Sequence, residues 1–586
     1  MDATANDLDL LRAYEPIVRF NHGEFFLPAA VEDYVACCDL MQRVAGQAPQ
    51  VVVPRGQLNL EKLAEVGAAN PGPGTYLRFV DEPASRTATA MWRRRADRPR
   101  FRHASRLARV GVLSRVVDAL NRVSLLFRGK VAKGTEAAAE IQYRERMRPD
   151  HHPYYGRVIR AGGYVALQYW IFYPFNDWRS RIYGVNDHEA DWEQVVVYLA
   201  DQSDGTLSPS WVVFSAHDET GDDLRRRWDD PDLTRVGDHP VVFAGLGSHS
   251  GAYLQGDYLT SFDPPAFKRF IRFSRRLSRA LLPWTRGTAQ AGVGIPYIDY
   301  ARGDGIAIGP GGDRPWDPVI IDDDTPWVFH YQGLWGNDTA DPLGGERGPA
   351  GPRYERSGVV RQPWGDVVGW SGLAKVAPNH DVAVALVRQR LEELAAETDA
   401  LSADLDVGRT RLRADMASGV AVSREQEVEL GAMAAKRTQL ADERRRLEQR
   451  LVTPPPEPGP HDHLRHRHTP IEVATRARLR LLSGWSAAST PLLLLAIGLA
   501  FLPVRTGVPL PTFLGWAIIF FGIEAAARRH LTGYLIAVVL GLLALFVLLV
   551  LGIFVVKYGW RYVISGSFIG VALILLIANI QELGRD

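Results

Sequence analysis

His188, Asp191 and Glu193 fall at i, i+3 and i+5 in NDHEADWEQVVVYL, where a polar loop runs into a β-branched stretch. Side chains alternate along a strand, so Asp191 and Glu193 share one face while Trp192 and Gln194 take the other. Two neighbouring carboxylates repel unless a proton or a cation lies between them, and a histidine just ahead can reach the same point. Oxygen ligands with one imidazole suit Mg²⁺, Ca²⁺ or Mn²⁺, and Zn²⁺ also accepts such a mixture. The expected cofactor is therefore a divalent cation, Mg²⁺ or Ca²⁺ ahead of Zn²⁺ or Mn²⁺. His217 in FSAHDE and His249 in GLGSHSGAY close two other apolar runs. With Ser248 and Tyr253 they are candidate ligand contacts at the same pocket. The competing use of this motif is structural, with Asp and His side chains fixing a strand-entry loop through backbone amides.

The elements around the motif read as β. YVALQYWIFYPF, WEQVVVYLA, SWVVFSAH and HPVVFAGLGSH are short β-branched and aromatic runs bounded by Pro, Gly, Asp or Asn. No helical crossover separates them, which favours an antiparallel sandwich. The expected fold is a mainly β sandwich of α+β character with peripheral helices over residues 1–380, interrupted by a basic insert at 86–150. That insert holds 17 Lys/Arg against 6 Asp/Glu. Its residues Leu107, Val110, Leu113, Val117, Leu120 and Leu125 recur near helical spacing. This pattern fits either a basic amphipathic helix on an anionic leaflet, with Arg93, Arg94, Arg95 and Arg98 at the membrane surface, or an internally packed helix.

A coiled-coil hairpin is expected over 381–452. Val384, Val387, Leu391, Leu394, Thr398, Leu401, Leu405 and Leu412 form one seam, and Leu430, Met433, Leu440, Leu447 and Leu451 the other. The arms could pair within one chain or join those of other chains as a homo-oligomer. Residues 453–480 form a Pro/His/Arg-rich linker whose HDHLRHRH reads as a solvated tether or a metal tract. The tail, 481–586, holds four uncharged stretches, 481–504, 506–523, 531–556 and 562–581. About 20 apolar residues cross a bilayer core, so four spans are expected. The arginines at 476, 478, 480, 528, 529 and 585 outnumber those facing the other side, which predicts both termini and the large N-terminal domain in the cytoplasm. Glu524 beside Arg528 reads as an interfacial ion pair.

Composition narrows the function classes. At 586 residues the chain is too long for one compact domain. Lys+Arg 68 against Asp+Glu 67 excludes a globally basic nucleic-acid binder, and no nucleic-acid partner is expected. Aromatic content of 10% excludes wholesale disorder. The two cysteines, Cys37 and Cys38, are adjacent and cannot staple a fold; they fit a reducing compartment. MDATANDLDLLRAYEP has no basic-then-apolar run, so no signal peptide is expected.

Several blocks in order resemble the Vps62-related (DUF946-like) family: YEPIVRFNHGEFFLP, QLNLEKL, YWIFYPFND, HEADWEQVVVYL, WVVFSAH, HPVVFAGLGSHSGAY and RPWDPVIID. The resemblance spans roughly Tyr14–Gly372. The HxxDWE heart resembles that of the necrosis- and ethylene-inducing-like proteins, microbial cytolysins, over about Tyr169–His249. In those cytolysins HxxDxE holds a divalent cation at one end of a β-sandwich, where a sphingolipid sugar head group docks. That resemblance implies metal roles for His188, Asp191 and Glu193, with a further ligand at Asn176 or Asp177. Glu189 and Ala190 replace the Arg and His of the cytolysin motif, and Glu189 is expected to add negative charge beside the site. The function expected is a membrane-anchored, cation-dependent binding module for a polar ligand such as a lipid head group or glycan. The alternatives are a metal-dependent hydrolase with His217 or His249 as base or acid, and a channel with the sandwich as sensor. No complete catalytic motif is present to support hydrolysis.

Overall fold

The structure is a computed structural model. It describes residues 3–583 apart from 45, 99, 102–105, 113, 120–133, 179–186, 203–204, 216–220, 263–268, 270–271, 274–275, 277–294, 338–347, 420–423, 454–457, 472–475 and 501–509. Met1–Arg102, Arg128–Tyr258 and Ile298–Ile471 build one compact unit; His103–Phe127, Leu259–Tyr297 and Glu472–Asp586 build the other. The basic insert is thus divided, and its middle belongs to the second unit.

The first unit is α+β. Its six-stranded sheet runs in the order Val319–Ile320, Tyr155–Ala161, Tyr164–Asn176, His188–Asp201, Leu207–Phe214, Arg226–Arg227. Tyr164–Asn176 is buried along its whole length, because both faces of the sheet are covered. That double cover explains its nearly continuous apolar run. One face carries Trp170, Phe172 and Trp192 against Trp327 and Trp335. The other carries Tyr169, Ile171, Tyr173, Val195 and Val197 against Val18 and Val242 of a second sheet. Each such side chain, fully buried, contributes about 1.5–3 kcal/mol of transfer free energy. Register sets Asp191 opposite Tyr173 and Glu193 opposite Ile171.

The second sheet has the order Arg235–Val236, His239–Ala244, Ile17–Arg19, Ala307–Ile308. Ile17–Arg19 lies parallel to His239–Ala244, and Val319–Ile320 lies parallel to Tyr155–Ala161. The expectation of a purely antiparallel sandwich is corrected at these two places. In each, a strand distant in sequence completes a sheet that the local hairpins leave open.

The helices His380–Ala417 and Arg424–Val452 pair antiparallel within one chain, with Arg390 bonded to Glu443 and Gly408 facing Leu430. Leu394, Leu405 and Leu440 are buried on the expected seams. A Cβ at Gly408 would stand 2.6 Å from Leu430 Cδ2, so the absent side chain at that seam position lets the arms close. Asn379 caps the first arm, accepting from Val382 N, and its amide donates to Asp201 O.

The second unit holds the helices Arg476–Ala500, Leu510–Ala527, Leu531–Tyr558 and Trp560–Leu583. Among the described residues one helix, Leu531–Lys557, is long and apolar enough to cross a membrane, and none of its apolar window is covered by protein. Gly515–Ala527 and Trp560–Ile574 are shorter apolar helices. The four expected spans therefore reduce to one that meets the requirement by itself. Arg476–Ala500 opens on arginines and contains Pro491, and Leu510–Ala527 has only 18 residues and includes Glu524. The Glu524 carboxylate accepts from Trp485, Arg528 and the buried Arg115, whose Nη2 lies 2.6 Å away. Arg115, an arginine of the basic insert, is thus spent on an internal ion pair.

Candidate functional site: a buried carboxylate and imidazole cluster

Asp191 and Glu193 occupy one face of their strand, with Trp192 packed on the other, as the alternation requires. Asp191 Oδ2 accepts from Asn176 Nδ2 at 3.0 Å and lies 2.9 Å from His249 Nδ1. Glu193 accepts a hydrogen bond from Ser215 Oγ. Both carboxylates are buried.

His249 comes from the tight turn after the His239–Ala244 strand, where Gly245 N donates to Ser250 O and His249 N donates to Gly245 O. Its φ of 58° is in the left-handed region, which few non-glycine residues adopt. The ring lies flat on Tyr173, with centroids 3.8 Å apart and planes 2° apart. Nε2 stands 3.8 Å from Glu24 Oε1, beyond hydrogen-bond reach. Burial opposes charge on this imidazole, but the bond to Asp191 and the attraction of Glu24 overcome it and raise the pKa to about 10. His249 is thus an imidazolium at neutral pH.

Glu24 was not singled out from the sequence. Its carboxylate accepts from the backbone N–H groups of Phe25, Phe26 and Gly247, at 2.9, 3.2 and 2.9 Å. Nothing in its spacing points to Asp191; its only signal is an acid in the Gly-flanked, aromatic NHGEFF loop. Asp177 N donates to Gly247 O, and Asp177 Oδ1 is enclosed with no hydrogen-bond partner. The residue keeps some surface, but its carboxyl sits deep enough that burial, then the charges of Glu24, Glu136 and Asp187, push its pKa well up. Gly247 has φ +71°, and a Cβ there would stand 2.2 Å from Asp177 Oδ1. Glycine is what lets this loop close on the acid.

The other candidates sort differently. His188 is buried, and its Nδ1 lies 2.7 Å from Ala190 O. A carbonyl only accepts, so Nδ1 donates, and neutral His188 presents Nε2 as its ligand atom. Ser248 donates to Asp299, 2.8 Å from each carboxylate oxygen, and is committed there. Tyr253 stacks on Phe214 at 4.2 Å and donates to Val212 O, so it packs the core instead of lining the site. His217 lies outside the described residues. Arg93 and Arg94 are exposed. Arg95 pairs with Asp97, and Arg98 pairs with Glu136 and covers Trp92 and Phe25.

Glu189 departs from expectation. Ala190 has φ 58°, and beyond it the Glu189 carboxylate accepts from Phe79 N, Val80 N and Asn337 N at 3.0, 2.9 and 3.0 Å. Phe79 and Val80 belong to the core that holds Trp192. Glu189 therefore stitches loops on the face opposite Asp191 and adds no charge to the site.

Among the described residues, one set of three acidic or histidine ligand atoms lies within 4.8 Å of one another: Asp230, Asp232 and His461. His188, Asp191 and Glu193 do not draw together that closely, since Asp191 is engaged by His249 and Asn176 and Glu193 by Ser215. What the main cluster offers is an enclosed group of carboxylates, Glu24, Asp177 and Asp191, around one cationic ring, with Glu193 next to Asp191 on the strand face.

No family model matches, so the Vps62-related resemblance finds no support there, and no curated protein matches. Similar solved structures are NLP (necrosis and ethylene-inducing-like) proteins. "NLPPya in complex with glucosamine" is 19% identical, covering 19% of this chain and 48% of that one, with a TM-score of 0.15. "Crystal structure of non-toxic HaNLP3 protein" is 20% identical, covering 16% and 39%, with a TM-score of 0.13. "NLPPya in complex with mannosamine" is 21% identical, covering 17% and 42%, with a TM-score of 0.13. The chain spans less than half of the length of each of these structures.

Proposed function

We propose that the protein is a membrane-anchored module that binds a polar ligand through a divalent cation held at the Asp191 and Glu193 face of the sandwich. The observation that carries this reading is the charge count of the enclosed cluster. Glu24, Asp177 and Asp191 gather at the His249 imidazolium, Glu193 follows Asp191 on the same strand face, and Asp177 Oδ1 has no hydrogen-bond donor. Carboxylate oxygens in excess, beside a histidine that presents Nε2, fit a hard divalent cation. Asp191, Glu193 and Asp177 would hold it, with His188 and Asn176 next to them, and it would supply positive charge for the oxygens of a sugar or phosphate.

Binding is favoured over hydrolysis by His249. An imidazole paired with Asp191 and drawn towards Glu24 keeps its proton at neutral pH and serves as donor and counter-charge, where a general base must arrive deprotonated. Leu531–Lys557 is the proposed anchor, with the sandwich in the cytoplasm.

The test is elemental analysis of the full chain purified in detergent. Wild type should retain a divalent cation, and Asp191→Asn/Glu193→Gln should lose it. Glucosamine is a suitable first ligand probe, added with Ca²⁺ or with chelator. Equal metal content in wild type and the double variant would overturn the reading.

A further inference from the structure

The linker expected to be solvated lies on the sandwich. Pro458 O accepts from Arg227 Nη1 at 3.3 Å, and Ile471 N donates to Asp257 O at 2.8 Å. Between these ends, three acids of the sandwich receive the segment. Asp230 Oδ1 lies 2.9 Å from His461 Nε2, and Asp232 Oδ2 lies 3.3 Å from the same atom. Asp232 also takes both arms of the Arg467 guanidinium, at 2.8 and 2.6 Å. Asp223 accepts from Arg465 N at 2.6 Å and His466 N at 3.2 Å, and lies 3.1 Å from His466 Nδ1. His463 reaches Arg225 O at 3.0 Å and meets Trp211 edge-on.

These acids are on the sandwich side and buried, whereas the groups that meet them are on the linker and exposed to different degrees. The side chains of Asp230 and Asp232 are 0% and 6% exposed, against 23% for His461 and 45% for Arg467. Burial works against charge at Asp223 and Asp232. The hydrogen bonds from His466 and Arg465 at the first, and from Arg467 at the second, outweigh it and hold both carboxyls below their usual range. Asp223 and Asp232 therefore draw their hydrogen bonds and most of their counter-charge from the linker, while Arg226 of the sandwich stands near Asp230. A cation at Asp230, Asp232 and His461 would compete with charges already in place, since Arg467 occupies Asp232 and Arg226 Nε lies 4.0 Å from Asp230 Oδ2.

We propose that Pro458–Pro470 is a releasable strap and that Asp223, Asp230 and Asp232 form its receptor, an acidic surface that fits a His/Arg peptide. The chain supplies that peptide itself. Docked, the strap removes Pro458–Pro470 from the free chain that precedes the apolar helices; released, it returns that length and exposes three carboxylates. The contacts are mostly polar and charge-based, so the exchange is sensitive to ionic strength, which screens exposed charges over about 8 Å at physiological salt.

Trypsin reads the strap directly, because Arg465 and Arg467 are cleavage points and proteolysis follows the open population when closing is fast. In the full chain in detergent at low salt, cleavage after Arg465 should be slow compared with a free peptide of residues 458–471, and should accelerate as salt rises. His461→Gln/Arg467→Gln removes the Arg467 counter-charge and the His461 ring contact from the exposed side and should speed that cleavage by about tenfold, the equivalent of one charge-assisted bond. Asp232→Asn should act in the same direction and add little to the double variant. Thermal unfolding of the sandwich should stay within a few degrees for His461→Gln/Arg467→Gln, showing that the strap and not the fold has opened. Wild-type cleavage at the rate of the free peptide, or no acceleration in His461→Gln/Arg467→Gln, would overturn the proposal.

Discussion

Glu189→Gln tests whether the motif glutamate is a stitch or a site residue. The wild-type carboxylate accepts three backbone amides, two on Oε2 from Phe79 and Asn337 and one on Oε1 from Val80. Glutamine can keep its oxygen where two amides meet, which turns its NH₂ towards the Val80 N–H. One charge-assisted bond is lost, about 1.5–3 kcal/mol, and one buried amide is left unpaired, about 1–3 kcal/mol. Part of this is offset, because burial raises the Glu189 pKa against the three amides that lower it, and a neutral side chain escapes that cost. A net loss of about 2–4 kcal/mol remains, which for a large domain lowers the unfolding midpoint by on the order of 5 °C. Calorimetry on the full chain measures the midpoint, and elemental analysis on the same sample measures bound cation. The midpoint should fall and the cation content should stay. An unchanged midpoint with lost cation would refute the reasoning and return Glu189 to the site.

His152 gives a pH prediction: burial, then the Arg314 charge, lower its pKa, while its bond to Pro28 O works the other way. A depressed folded-state value means that its stabilising contribution is present above the ordinary histidine value near 6.5 and is lost as pH falls below it. The midpoint should therefore drop from about pH 6.5 towards 5, with a shallower slope in His152→Gln; identical slopes would count against it. For topology, protease added outside intact cells should leave the sandwich uncut, and its digestion from outside would invert the proposed orientation.

How much of this was legible depended on the range of the interaction. Strand alternation put Asp191 and Glu193 on one face, because a two-residue period is a local property. It failed at Glu189, where the left-handed Ala190 breaks the period and no residue type announces it. The helical arms follow a local period too, and Leu394, Leu405 and Leu440 lie buried between them. Pairing across the chain was not legible. His249 meets Asp191 only after the two sheets have packed, Glu24 comes near it only because Ile17–Arg19 lies beside His239–Ala244, and the acids at 223, 230 and 232 lie far before the histidines and arginines that answer them. The pairing of Arg115 with Glu524 of the Leu510–Ala527 helix is equally long-range, with no local signal for it. The apolar tail was overread, because counting uncharged residues ignores Pro491 and helix length.

The cluster's energetics narrow what it can be for. Glu24 accepts from three backbone amides, and Asp191 accepts from Asn176 and pairs with His249. Asp177 has no comparable support at Oδ1, and the nearby charges of Glu24 and Asp187 disfavour its ionisation further. A buried carboxyl in that position takes up a proton or meets a cation. A purely structural site has a cheaper solution, since an asparagine at 177 would place a neutral side chain there without the charge. Under the proposed cation site, the acid kept beneath the glycine loop at Gly247 costs stability and supplies a ligand oxygen. The metal measurement on Asp191→Asn/Glu193→Gln therefore bears on Asp177 as well. If the cation is held by the whole cluster, losing two of its carboxylates should release it even though Asp177 is untouched.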